Sequence, residues 1–173
     1  MISLVLGGAR SGKSRFAEQL ATHSQLPVLY IATATALDDE MAARITHHQT
    51  QRPLEWQTCE CPLQLVETLA RESQKPQCIL VDCLTLWLNN QLFHYPQQNF
   101  AQLFDQLINS LEQTQATIIF VANEVGLGII PLGEVSRTFV DEAGRLNQRL
   151  AQRADQVFFI AAGLPLTLKG PAV

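Results

Sequence analysis

The segment "GGARSGKS", Gly7 to Ser14, sits between the apolar run "ISLVL" and an amphipathic stretch that begins at Lys13. It matches G-x4-G-K-[ST], a pattern that average residue usage produces by chance in a chain this long about one time in a hundred or fewer. Few features constrain a fold as tightly. The pattern requires a buried strand, a glycine-rich turn and a helix whose first turn points at an anion. Gly7, Gly8 and Gly12 let the backbone N–H groups close around phosphate oxygens, with Ala9, Arg10 and Ser11 forming the crown of the turn. Lys13 is placed to reach the terminal phosphates of a nucleotide, and the Ser14 hydroxyl to ligate Mg²⁺. A plain glycine turn capping a helix would not require lysine followed by serine.

Further apolar runs recur along the chain. "VLYIA" at 28–32, "CILVD" at 78–82, "TIIFVAN" at 117–123 and "QVFFIAA" at 156–162 read as strands covered on both faces, with "EWQTC" at 55–59 as a weaker edge strand and "LTLK" at 166–169 as a last one. Between them, helical periodicity predicts helices over 13–24, 38–48, 63–72, 84–92, 100–113 and 135–154. Such alternation implies an α/β fold with a mostly parallel sheet flanked by helices. The length of 173 residues, without repeats or linkers, predicts one domain over 1–173. Segments 94–99 and 126–134 are rich in turn residues and are expected to be the mobile ones.

Charge narrows the function. The net charge is −4 and there are three lysines, Lys13, Lys75 and Lys169, so the chain lacks the broad cationic surface that nucleic acid binding needs. Positive charge is local and suited to a small anion. No apolar run approaches the length of a membrane span, and Met1 leads straight into the first strand, so a cytoplasmic protein is expected. The cysteines at 59, 61, 78 and 83 do not have structural zinc spacing and read as reduced thiols.

A metal-assisted phosphate site needs an acid at a strand end, and Asp82 closes "CILVD". The segment "ITHHQTQRP", Ile45 to Pro53, adds two adjacent histidines flanked by Arg44 and Arg52. At 100° per residue His48 shares a stripe with Leu37, Met41 and Ile45, while His47 falls with Glu40 and Arg44 towards the polar side. His47 is therefore the freer imidazole. From the carboxyl-end rim of a parallel sheet it could attack an α-phosphate, with Lys13, Arg44 and Arg52 quieting the charge, or it could serve only as a charge partner. Asn123 and Glu124, at the end of another strand, are substrate-side candidates.

These residues together carry a resemblance. "GGARSGKS", "YIATA…LDDEMAARITHHQTQRP", "NEVGLGIIP" and "RTFVDEAGRLNQRLAQRAD" resemble the bifunctional adenosylcobinamide kinase/adenosylcobinamide-phosphate guanylyltransferases of cobalamin biosynthesis, from Ile2 to about Lys169. The resemblance implies phosphorylation of adenosylcobinamide by ATP or GTP, then transfer of GMP from GTP to the product, giving adenosylcobinamide-GDP and pyrophosphate. It places the guanylylated histidine on His47. It places nucleotide contacts on Gly7 to Ser14, on Ala32, Thr33 and Ala34, on His48, Gln49, Thr50 and Gln51, on Glu60 and on Asp82, with Arg52 beside them. It also implies a RecA-like sheet with an antiparallel strand near the edge, and a homo-oligomer, a trimer. No contact carries over to Val140, where the family often has a basic residue. Two rival readings share the cradle: a simple small-molecule kinase without a covalent step, and a GTP-binding module without turnover.

On the late helix, Arg137, Asp141, Gly144, Arg145 and Gln148 share one face, and Val135, Phe139, Leu146 and Leu150 the other. The first face is either solvated or meets a ligand or a neighbouring subunit. Gly144 in mid-helix, costing about 1 kcal/mol against alanine, suggests a close approach there.

Overall fold

The computed structural model describes residues 1–35 and 53–171. Seven strands form one sheet: β1 (Ile2–Gly7), β2 (Val28–Ala32), β3 (Gln57–Glu60), β4 (Cys78–Asp82), β5 (Thr117–Asn123), β6 (Gln156–Ala161) and β7 (Leu164–Lys169). Their order is β3-β2-β4-β5-β1-β6-β7. Every pairing is parallel except β6 with β7. Five helices are described: α1 (Lys13–His23), α2 (Leu65–Glu72), α3 (Leu84–His94), α4 (Phe100–Asn109) and α5 (Glu134–Arg153).

The near-continuous apolar strands are explained by burial on both faces. Alternate residues of one strand serve two cores. On one face Leu4, Leu6, Ile79, Val81, Ile118 and Phe120 pack with Trp87 of α3, Phe104 of α4 and Leu146 and Leu150 of α5. On the other, Val5, Tyr30, Leu80, Val121 and Phe158 pack against Ala17 and Ala21 of α1, with Phe16 edge-on to Phe158. Small residues on α1 let it lie close to the sheet, next to the strand that delivers the chain to it.

Strands β2, β4 and β5 fall on the expected residues, and β1 and β6 differ from expectation by one residue at an end. The weak segment at 55–59 is the edge strand β3, shifted to Gln57–Glu60, and β7 begins two residues earlier than expected. Helix α4 stops at Asn109 rather than at 113. There the chain passes into turns (Leu111 N–H to Ile108 O, 3.0 Å), because it must bring Gln115 and Ala116 to the Ser73 carbonyl and enter β5. The helix expected over 38–48 lies outside the described residues, apart from which no strand or helix of the reading is missing.

The late helix departs in one respect. Val135, expected on its apolar face, is 77% exposed, since the sheet contacts of α5 begin only with half-buried Phe139. Its polar face is partly used within the chain: Arg145 pairs with Glu142, and Arg137 donates to the Pro131 and Leu132 carbonyls. A Cβ at Gly144 would meet nothing within 4 Å, so no close approach within the described chain explains that glycine. No helix among the described residues is long and apolar enough to cross a membrane.

Candidate functional site

The parallel register brings the carboxyl ends of six strands, β1 to β6, to one rim. Gly7 is level with Asn123, and Ala32 is level with both Asp82 and Glu60. At about 4.8 Å per strand, Asp82 lies two strands, roughly 10 Å, from the end of β1. Glu60, exposed at the sheet edge, lies four strands away, roughly 19 Å. The rim thus gathers Gly7, Asp82 and Asn123 near its centre and leaves Glu60 at the periphery.

The phosphate loop fills the centre. Gly7 must lack a side chain, because a Cβ there would sit 2.5 Å from Ser11 Oγ and 2.7 Å from the Ile160 carbonyl. Arg10 and Gly12 take left-handed conformations, φ 55° and 94°, and so curl the backbone before α1. Helix α1 starts with no side-chain cap and no acid in its first turn, so its leading N–H donors are left for an anion. Contrast α4, whose first turn is capped by Asn99 accepting from Gln102 N–H at 3.1 Å. The Lys13 side chain is buried and folds back over the loop, its Nζ donating to the Gly8 carbonyl at 3.1 Å. Ser14 is half-buried, whereas Ala9 and Arg10 face solvent.

Asp82 follows four buried residues of β4 on the α1 side of the sheet, and Tyr30 Oη donates to its Oδ2 at 3.0 Å. Tyr30 stands opposite Leu80, so the hydroxyl reaches Asp82 along the diagonal of the same face. One carboxylate oxygen is thereby held and the other left for a partner. A hard carboxylate oxygen with the Ser14 hydroxyl and phosphate oxygens is a donor set that suits Mg²⁺. Among the described residues no group of three or more His, Cys, Asp or Glu side chains forms a metal cluster, and Mg²⁺ shared with phosphates needs none.

Behind Asp82 the scaffold is dry. Thr33, fully buried, donates through Oγ1 to the Cys83 carbonyl at 2.7 Å and accepts from the Cys83 N–H at 2.8 Å. Asn90 of α3 donates to the carbonyls of Thr33 and Pro62, at 2.9 and 3.1 Å, and so ties the exits of β2 and β3 together. Burial pushes the Cys83 thiol up to about 11, the Asp82 carboxylate adds to this and Lys13 opposes it. That thiol stays protonated, and Cys59, Cys61, Cys78 and Cys83 are free, the last three of them buried. Tyr30 and Asn90 escaped the sequence reading, and Thr33 was expected only as a nucleotide contact, not as the clasp on Cys83. Their partners lie 28 to 57 residues away, and only the register reveals them.

Asn123 N–H is taken by Thr85 Oγ1 at 2.7 Å, while its Oδ1 is buried without a partner among the described residues. Glu124 N–H donates to the Gly7 carbonyl at 3.0 Å, and its carboxylate accepts from Gly126 N–H at 2.6 Å. Both candidates therefore adjoin the loop, but Glu124 is engaged with its own turn. Beyond it, Leu127, Ile129, Ile130 and Leu132 are exposed. His47, His48, Gln49, Thr50, Gln51 and Arg52, with Arg44, lie outside the described residues. Ala32, Thr33 and Ala34, which lead towards them, are on the rim. A concavity between α4 and α5, lined by Gln98, Phe100, Glu142, Arg145 and Arg149, contains none of the rim residues.

Comparison with known proteins agrees with this geometry. Residues 3–168 match the family described as cobinamide kinase / cobinamide phosphate guanyltransferase. The bifunctional adenosylcobalamin biosynthesis protein CobP of Pseudomonas aeruginosa is 52% identical over 170 residues, covering 98% of each chain. CobU of Salmonella typhimurium, a protein of the same description, is 41% identical over 182 residues, covering 98% of this chain and all of its own. Among solved structures, the RadB recombinase superposes with a TM-score of 0.52 at 15% identity, covering 91% of this chain and 73% of its own, a likeness of fold.

The Thr33–Cys83 pair yields a direct test of the scaffold. Thr33→Val keeps shape but leaves a buried N–H and C=O without partners, and should cost about 2–4 kcal/mol in urea unfolding. A loss below about 0.5 kcal/mol would mean that the strand ends are held by other contacts.

Proposed function

The chain belongs to the cobinamide kinase / cobinamide phosphate guanyltransferase family, and from that premise we propose how its residues divide two successive transfers over one cradle. In the first, the hydroxyl of adenosylcobinamide attacks the γ-phosphorus of ATP or GTP. The bond to the β-phosphate oxygen breaks, the nucleoside diphosphate leaves and the hydroxyl proton passes to solvent. In the second, an imidazole nitrogen of His47 attacks the α-phosphorus of GTP and pyrophosphate leaves. A phosphate oxygen of adenosylcobinamide phosphate then attacks the GMP phosphorus, breaks the P–N bond and frees His47.

The observation that carries this reading is the buried Lys13, its Nζ turned into the loop at the uncapped start of α1. Backbone donors, helix dipole and one ammonium converge there, a charge-stabilising arrangement useful to both transfers. Asp82 and Ser14 would hold Mg²⁺, which supplies charge neutralisation on the phosphates when bound. Tyr30 keeps Asp82 oriented for that task. Ala32, Thr33, Ala34, Glu60 and the segment His48 to Arg52 are assigned to the nucleotide, and Asn123 and Glu124 to the side of the corrinoid. The exposed Leu127, Ile129, Ile130, Leu132 and Val135 support a homo-oligomer, which we take to be a trimer. The Arg137–Asp141–Arg145 face is left to the corrinoid or to a neighbouring subunit. The cytoplasm is the compartment this chemistry fits.

Three variants test the assignment. Lys13→Ala should lower both activities by at least about a hundredfold, and near-normal guanylyl transfer would place the nucleotide elsewhere. Tyr30→Phe should fold normally yet need about tenfold more Mg²⁺ for half-maximal rate. An unchanged Mg²⁺ dependence would remove Tyr30 from that role. His47→Asn should lose the GMP adduct formed from α-labelled GTP, and pyrophosphate release with it, while keeping kinase activity, because γ-transfer relies on positioning and charge neutralisation. The adduct, a phosphoramidate, should be labile in acid and stable in base. His48→Asn should retain label. Label kept by His47→Asn and lost by His48→Asn would reverse the two, and a parent protein that binds GTP without acquiring label would leave a simple kinase.

A further inference from the structure

We propose that the β6–β7 hairpin positions the phosphate loop, and that Gly163 is the residue through which it acts. The inference rests on the reading of that loop as the nucleotide cradle. The hairpin is joined by two residues between the paired Ala161 and Leu164. Both take left-handed conformations, Ala162 at φ 52° and Gly163 at φ 80°. That turn matches the right-handed twist of the strands, yet it costs an alanine, so the surroundings must hold it.

What holds it is the loop. Gly163 N–H donates to the Ser11 carbonyl at 2.8 Å. A Cβ at Gly12 would lie 3.2 Å from Gly163 Cα, so the two glycines meet backbone to backbone. One strand residue earlier, the Ile160 carbonyl abuts Gly7, with which it is in register. The end of the hairpin therefore touches the loop at its entry and at its exit.

The bond to Ser11 has a consequence for anion binding. In a planar trans peptide the carbonyl of one residue and the N–H of the next point in opposite directions. Drawing the Ser11 carbonyl to Gly163 turns the Gly12 N–H away from the hairpin and frees it as a donor at the start of α1. Without that anchor the Ser11–Gly12 peptide can rotate, and a donor of the cradle is no longer preset. Gly163 is thus a positioning residue that touches no substrate. A left-handed glycine is needed because its N–H must reach the loop while the chain reverses into β7.

Gly170 supplies the control. It is also left-handed, φ 89°, at the far end of β7, where a Cβ would lie 2.8 Å from the Asp155 carbonyl. Gly170→Val disturbs the same sheet edge without touching the loop. The test measures GTP affinity with Mg²⁺ by calorimetry and thermal midpoints for the full chain. Gly163→Val, which cannot hold φ 80°, should bind GTP about tenfold more weakly, as expected for one lost hydrogen bond to a charged ligand. Gly163→Asn, tolerant of left-handed φ, should restore binding to within about threefold of the parent. Gly170→Val should lower the midpoint but keep parental affinity. Should Gly163→Val fail to fold, Gly163→Ala serves in its place, with a loss of about fivefold or more, from the roughly 1–2 kcal/mol that left-handed backbone costs an alanine. Parental affinity in folded Gly163→Val or Gly163→Ala, or an equal loss in Gly170→Val, would overturn the proposal. A parent protein that does not bind GTP at all would overturn the cradle reading itself, and this inference with it.

Discussion

Anion binding at the head of α1 requires backbone N–H groups that no other part of the protein has claimed. The rest of the structure follows from that constraint. A helix start left uncapped costs stability in isolation, since its first donors have no intrahelical partner. It is sustained here because β1 is buried between β5 and β6 and α1 lies on the same sheet with Ala17 and Ala21 against it. Burial on both sides holds the ends of β1 and α1 in place, and glycines allow the short path between them. The loop is therefore positioned by the packing around it together with bonds to its carbonyls, from Lys13 to Gly8 and from Gly163 to Ser11, which leave its N–H groups free.

The same logic places the acid. A parallel sheet puts all strand exits on one rim, so a carboxylate at the end of β4 is delivered to the loop's vicinity by topology alone. Its orientation is a separate matter, met by a tyrosine from the next strand over. The scaffold beneath is held by buried polar pairs, Thr33 with Cys83 and Asn90 with two strand exits. Such pairs permit little drift, because a broken one leaves unpaired groups in a dry interior.

What could be read from the residues follows from range. Apolar runs marked the strands within a residue or two because strands buried twice have no other composition, and the phosphate loop was legible because its signal is eight contiguous residues. Asp82 needed only the end of a run. Tyr30, Asn90 and Gly163 carry no local mark, and Thr33 none for its bond to Cys83: Tyr30 is one more residue in an apolar strand, and Gly163 one more turn glycine. Their roles depend on which strand lies beside which, and the order β3-β2-β4-β5-β1-β6-β7 is not written in any single segment. Val135 misled for a related reason, since helical periodicity predicts a face but not where the sheet beneath it ends.

The central claim is that one cradle serves both transfers, so any nucleoside triphosphate that drives the first must compete there with the GTP of the second. Equilibrium binding of non-hydrolysable ATP and GTP analogues, each labelled differently and both saturating with Mg²⁺, measures this directly. The account predicts one nucleotide bound per chain in total, each analogue displacing the other competitively. Two nucleotides bound at once to the same chain, neither displacing the other, would contradict it.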